Sequence, residues 1–148
     1  MGSADAIRWL TLDDQGRLRL GAAASRTLAA RPWAQAAWLY GSVARTGRGR
    51  DVDLGVLAEP VPEQAELASA AAEIARGVGL RPDDIDLRLL NGGDPVFLGN
   101  VLRDGRLLFE RDRERRVRFE VYALNQWLDF APVWERLRQR VLTRWSHG

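Results

Sequence analysis

Residues 38–58, WLYGSVARTGRGRDVDLGVLA, constrain the fold more than any other stretch of the chain. The apolar run Trp38-Leu39-Tyr40 stops at Gly41-Ser42, and a second run, Val52 to Ala58, starts with an aspartate on either side of Val52. Side chains two apart on a strand project to the same face. Asp51 and Asp53 therefore stand together, while Val52 and Leu54 turn into a core. Two unpaired carboxylates this close repel, and one is forced towards protonation. A divalent cation removes the conflict. Oxygen-only ligands with no histidine or cysteine nearby suit magnesium or manganese, which favour carboxylates plus substrate phosphates.

The flanking sequence supplies further elements. Residues 22–30 are alanine-rich and predict a helix ended before Pro32. Strands are expected at Ala36–Tyr40, Val52–Ala58 and Ile85–Leu90, with a helix at Glu63–Val78 between the last two. A short helix follows at Pro95–Leu102 and a short strand at Arg106–Glu110. From Asp112 onward Val117, Val121, Leu124 and Leu128 recur at helical spacing, and Trp134, Leu137, Val141 and Trp145 do so after Pro132, which kinks or breaks the run. Residues 4–20 are ambiguous: Asp13-Asp14-Gln15-Gly16 turns a hairpin, or Thr11 caps a helix. The order is that of an α/β protein with a small mixed β-sheet, flanking helices and a helical C-terminal tail. With 148 residues the expectation is one domain spanning 1–148, its core at about 22–110 and its tail at about 112–146.

Composition narrows the chemistry. There is no cysteine, so disulfides and thiolate metal sites are excluded, and the single histidine is His147 near the end of the chain. Any catalysis rests on carboxylates, hydroxyls and arginines. All 22 basic residues are arginine, yet the formal net charge is only +2, which argues against a general nucleic-acid binder. No apolar run is long enough to span a membrane, and the N-terminus lacks the charged and apolar segments of a secretory signal. A cytoplasmic protein is expected.

A third carboxylate is expected from a neighbouring strand. In Asp84-Ile85-Asp86-Leu87-Arg88-Leu89 the residues Ile85, Leu87 and Leu89 share the core face, and Asp84, Asp86 and Arg88 the other. Asp86 lies inside the strand and Asp84 at its start, as the alternate. Gly41 at a strand end lets the backbone approach a phosphate, and the Ser42 hydroxyl and amide can hold a terminal phosphate oxygen. Arg45, Arg48 and Arg50 can neutralise the rest of a triphosphate. No lysine-serine or lysine-threonine pair follows the glycines, so this is not a P-loop.

On these residues (Tyr40-Gly41-Ser42, Asp51-Val52-Asp53 and Asp86) the chain resembles the polymerase-beta-like nucleotidyltransferases. It is similar above all to the minimal nucleotidyltransferases, the MntA-like antitoxins encoded beside HEPN-domain toxins. Val101-Leu102-Arg103-Asp104-Gly105-Arg106-Leu107-Leu108-Phe109-Glu110, Arg118-Phe119-Glu120-Val121 and Leu128-Asp129-Phe130 extend the likeness, which covers roughly residues 25–135. The eight-residue loop between Ser42 and Asp51 is shorter than the family's usual one. The resemblance implies magnesium-dependent transfer of AMP from ATP to a hydroxyl, most simply a tyrosine, of a cognate HEPN-type toxin. It implies metal-binding and catalytic roles for Asp51, Asp53 and Asp86, and ATP or phosphate contacts for Gly41, Ser42, Arg45, Arg48 and Arg50. The partners implied are that toxin and ATP, with no direct nucleic-acid or membrane partner.

Each motif also has a plainer account. The two aspartates can be a solvated strand edge, Ser42 a helix cap, and the arginines loop solubilisers. The charged run Glu110–Glu120 reads as a solvated helix face with i,i+4 pairing. Trp127, Trp134 and Trp145 read as core or partner-facing residues. Two other functions stay open: a binding module with a vestigial site, and a small-molecule nucleotidyltransferase of the aminoglycoside-modifying type.

Overall fold

Strand Ala34–Tyr40 is buried along its whole length, although three of its seven residues are alanines with weak strand preference. Layers of helices on both of its faces override that preference. A computed structural model describes residues 8–147, so residues 4–7 of the ambiguous N-terminal segment and the leader reading of the first residues lie outside it. The elements are β1 (Leu10–Thr11), α1 (Asp14–Ala29), β2 (Ala34–Tyr40), α2 (Gly41–Thr46), β3 (Arg48–Gly49), β4 (Val52–Ala58), α3 (Gln64–Gly77), β5 (Ile85–Leu89), α4 (Pro95–Asp104), β6 (Arg106–Glu110) and α5 (Arg113–His147). A 3-10 turn at Pro82–Asp84 leads into β5. The mixed α/β architecture matches the expectation.

The main sheet runs β5-β4-β2-β6, with β4 and β5 parallel and the other pairs antiparallel. Alternation along the central strands sorts the layers. Leu39 and Leu54 pack with Leu20 and Ala24 of α1 and Ile74 of α3. Ala36, Trp38 and Tyr40 face the opposite way, towards Leu98 and Val101 of α4 and Phe119 and Ala123 of α5. Asp53 shares this second face. The period-two reading of Val52, Asp53 and Leu54 is therefore realised in the packing.

Three local expectations are corrected. Helix α1 starts at Asp14, well before residue 22, and its cap is Asp13, whose carboxylate accepts the Gly16 amide at 2.6 Å. Thr11 lies in β1, which pairs with β3, so neither the hairpin nor the threonine cap forms. Pro132 neither breaks the chain into two helices nor ends one: α5 runs through it for 35 residues. Leu128 and Val133 are about half exposed there, so water can serve backbone groups that the proline leaves unpaired.

The charged run 110–120 is more than a solvated face. The Arg111 guanidinium donates to the carbonyls of Ala34, Leu28, Ala29 and Arg31 at 2.9–3.2 Å, tying the C-terminal end of α1 to the loop that follows it and to β2. Arg116 joins Glu110 (2.8 Å) to Glu120 (3.0 Å), the latter being the expected i,i+4 pair.

Candidate active site

The site begins where β2 ends. Gly41 has φ +76°, and a Cβ there would collide with Asp53 Oδ2. Backbone conformation and close approach therefore both demand glycine at this position. Asp53 lies opposite Tyr40 on β2 and opposite Asp86 on β5, so three strands present these side chains in one row. Asp51 immediately precedes β4 and is exposed.

The electrostatics show that the aspartates sense one another. Burial, then the charge of Asp86, then that of Asp51 raise the Asp53 pKa from 3.8 to about 6, against the opposing pull of Arg88 and Arg45. Burial and the neighbouring Asp53 also push Tyr40 up to about 12. Asp86 has a local partner: Arg88 Nε donates to its Oδ2 at 3.0 Å. Among the described residues no three acidic, histidine or cysteine side chains stand close enough to close on a metal ion. The donor set nevertheless fits a hard divalent cation, because only oxygen ligands are on offer and the penalty that burial, Asp86 and Asp51 place on a charged Asp53 is one such an ion relieves.

Asp84 belongs elsewhere. It is buried, accepts the Arg81 amide at 2.9 Å, and pairs with Arg8 at 3.3 Å and Arg81 at 3.8 Å. Those contacts hold the 3-10 turn that sets β5 in register. It is Asp86 that lies opposite Asp53.

The loop from Ser42 to Asp51 is closed on itself. The Ser42 hydroxyl donates to the Arg48 carbonyl at 2.5 Å, and the Thr46 hydroxyl to the Ser42 carbonyl at 2.9 Å. Ser42 stands inside α2, whose N-cap is Tyr40, so the simple helix-cap account of this serine does not hold. Arg45 pairs with Asp104 at 3.0 Å. The guanidiniums of Arg48 and Arg50 lie 4.8 and 5.8 Å from the centre of the Trp9 ring. Short strands β1 and β3, with the Leu12 amide bonded to the Gly47 carbonyl at 2.7 Å, hold Trp9 beside that loop.

Two hollows are lined by the aspartates, Asp53 in one and Asp51 and Asp86 in the other. One, of about 550 Å³, is lined by Tyr40, Asp53, Arg88, Phe97, Asn100 and Phe130, among others. The other, of about 440 Å³, holds Asp51 and Asp86 beside Asp83, Pro82 and the start of α3. The structure thus brings Gly41, Asp51, Asp53 and Asp86 to one end of the sheet, with Arg45 in electrostatic reach. Arg48 and Arg50 are drawn towards Trp9. Sequence reasoning placed Arg88 on the correct face without giving it a role. It missed Trp9, Tyr40 and Phe130 as site residues. For Arg88 the signal was its i+2 relation to Asp86. Trp9 and Phe130 arrive through long-range packing and carried no local signal.

Comparison with known proteins accords with this geometry. The family model described as polymerase beta, nucleotidyltransferase, matches residues 24–114. The chain belongs to that nucleotidyltransferase family. Among solved structures it is similar to a tri-AMPylated Shewanella oneidensis HEPN toxin in complex with an MNT antitoxin (TM-score 0.66, 20% identity, 86% of this chain and 98% of that one). It is also similar to the toxin–antitoxin pair MntA–HepT (TM-score 0.64, 20% identity, 85% and 98%). A third is a toxin–antitoxin structure with AMP-PNP (TM-score 0.63, 20% identity, 88% and 99%). At these identities the likeness establishes the shared fold. Comparison with curated proteins gives no significant sequence match.

Proposed function

We propose that the protein is an antitoxin-type adenylyltransferase that moves AMP from ATP to a hydroxyl of a cognate HEPN-type toxin. The observation that carries this reading is the meeting of Gly41, Asp53 and Asp86 at the end of one sheet, with Asp53 raised by burial and then by its carboxylate neighbours. The solved complexes of similar fold with an AMPylated HEPN toxin and with AMP-PNP support it.

Asp51, Asp53 and Asp86 would hold magnesium, which when bound offsets the charge of the triphosphate. Gly41 gives the phosphates close access to the backbone, and Ser42, Arg45, Arg48 and Arg50 steady the departing pyrophosphate. Asp86, once released from Arg88, takes the proton of the incoming hydroxyl. The hydroxyl oxygen bonds to the α-phosphorus, and the bond from that phosphorus to the bridging oxygen of the β-phosphate breaks. Positioning and preorganised charge supply the acceleration.

The test is the intact mass of a HEPN toxin encoded beside this chain, co-expressed with it. One AMP increment or a small multiple is expected with wild type, ATP and magnesium, and none with Asp51→Asn/Asp53→Asn. A second reading, neutralisation by contact alone, is favoured by the Asp86–Arg88 pair and the self-closed Ser42 hydroxyl. It prevails if the double variant neutralises the toxin as well as wild type and no adduct forms.

A further inference from the structure

Helix α5 is about 50 Å long, and only its first half packs on the body. There Phe119 lies against Trp38 (ring centroids 5.5 Å apart) and Ala123 is fully buried. Trp127 covers Gly99 so closely that a Cβ on that glycine would come within 2.9 Å of the indole. One turn further on, Phe130 lines the hollow that holds Asp53 and Tyr40. The same face continues past the body at steps of three and four residues, through Trp134, Leu137, Val141 and Trp145. These are 43%, 51%, 44% and 83% exposed. Trp134 stacks on Phe130 at 6.4 Å, so the exposed stripe is continuous with the wall of the site.

We propose that this overhanging stripe is a docking seam for a partner-protein helix whose apolar face is flanked by acidic residues. The seam is narrow, with Arg138 on one side and Arg140 and Arg144 on the other, the proportions of helix-on-helix pairing. From 131 to 146 the chain carries Arg136, Arg138, Arg140 and Arg144 against a single acid, Glu135, which pairs with Arg138 at 3.6 Å. Acidic flanks on the partner complement that excess. A second copy laid seam to seam would set arginines against arginines. Val133 and Leu142 are also exposed on the overhang but stand off the seam, and a membrane surface asks for a broader apolar face than these provide. Another exposed stripe, Val117, Val121, Leu124 and Leu128, lies on a different side of α5, where Arg116–Glu120 and Arg118–Glu114 balance the charge internally. That stripe lacks the basic flanks. Because the seam runs into Phe130, a partner seated on it reaches the hollow beside Asp53, and its hydroxyl enters the site by docking. Only this last step rests on the transferase reading.

The test uses the full chain and two tryptophan-free, fluorescently labelled peptides. Both are amphipathic helices with leucine at the core positions, one flanked by glutamate and the other by lysine. By anisotropy the glutamate peptide binds at least tenfold more tightly. Leu137→Asp/Val141→Asp removes that binding while leaving the melting curve and ATP binding unchanged, since both side chains are exposed. Arg138→Glu/Arg144→Glu reverses the preference to the lysine peptide. Equal binding of the two peptides, or binding of neither, overturns the proposal. So does a dimer by light scattering, or attachment to phosphatidylglycerol vesicles, that Leu137→Asp/Val141→Asp abolishes. None of these readouts involves AMP transfer, so the seam and the transferase activity fail or stand separately.

Discussion

The two ends of the main sheet are built on opposite terms. At the end near the start of β2, polar groups are satisfied: the Gln35 amide donates to the carbonyls of Pro32, Trp33 and Glu59, and Arg111 ties the C-terminal end of α1 to β2. At the other end Asp53 is raised to about 6 by burial and by two neighbouring carboxylates, and Tyr40 is held protonated beside it. One end spends its polar groups on stability. The other carries a charge conflict that costs stability and that, on the proposed function, a cation and phosphates would relieve. Function here is read from where the fold leaves an electrostatic debt.

The largest expected effect separates the two ends outright. Asp53→Asn should lower AMP transfer on the order of a hundredfold or more, since on the proposed function it removes a carboxylate that would hold magnesium beside the reacting phosphates. Its melting temperature should stay level or rise. A marked fall in melting temperature would make Asp53 a structural residue like Asp84 and erase the contrast.

The pH dependence sharpens it. A carboxyl whose pKa is raised from 3.8 to about 6 on folding favours the folded state most below pH 3.8, and that contribution is lost as pH rises through 6. At neutral pH the penalty is at most about 2 kcal/mol once solvent screening is allowed for. In denaturant titrations Asp53→Asn should therefore gain on wild type at pH 8 and not at pH 3.5. An equal gap at both pH values would assign the effect to packing.

At the opposite end, Arg111→Ala should cost about 1–2 kcal/mol by removing the charged hydrogen bonds that tie the Ala29 and Leu28 carbonyls of α1 to the carbonyls of Arg31 and Ala34, with ATP affinity unchanged. Equilibrium unfolding and calorimetry on the same sample check both halves of that statement. Smallest is Trp9→Ala, which frees Arg48 and Arg50. Loss of contacts worth about 0.5–1 kcal/mol should raise the KM for ATP roughly two- to fivefold, and Trp9→Phe should restore it. A change in kcat at constant KM would remove Trp9 from the phosphate side of the site.

The same contrast governs what the sequence made legible. The row of Asp53 and its core-facing neighbours could be read because strand alternation is local and the two central strands obey it. Asp86 could be read only together with Asp84, because the choice depends on the β4–β5 register, which no local pattern encodes. The start of α1 was obscured by Gly16 and Gly21 and by alanines that give a helix little amphipathic contrast. Pro132 suggested a kink or a break, because a proline in a helix interior removes a hydrogen bond, but Leu128 and Val133 are about half exposed there and water can serve the freed groups. Phe130 and Trp9 were illegible as site residues, since each reaches the site through an element distant in sequence.

The most direct test of the central claim is ATP binding by calorimetry, with magnesium and with excess chelator. On the proposed function three aspartates would face a triphosphate and repel it when bare, so binding should be at least tenfold tighter with magnesium, and Asp51→Asn/Asp53→Asn should remove most of that difference. Equal affinity with and without the ion would contradict the account.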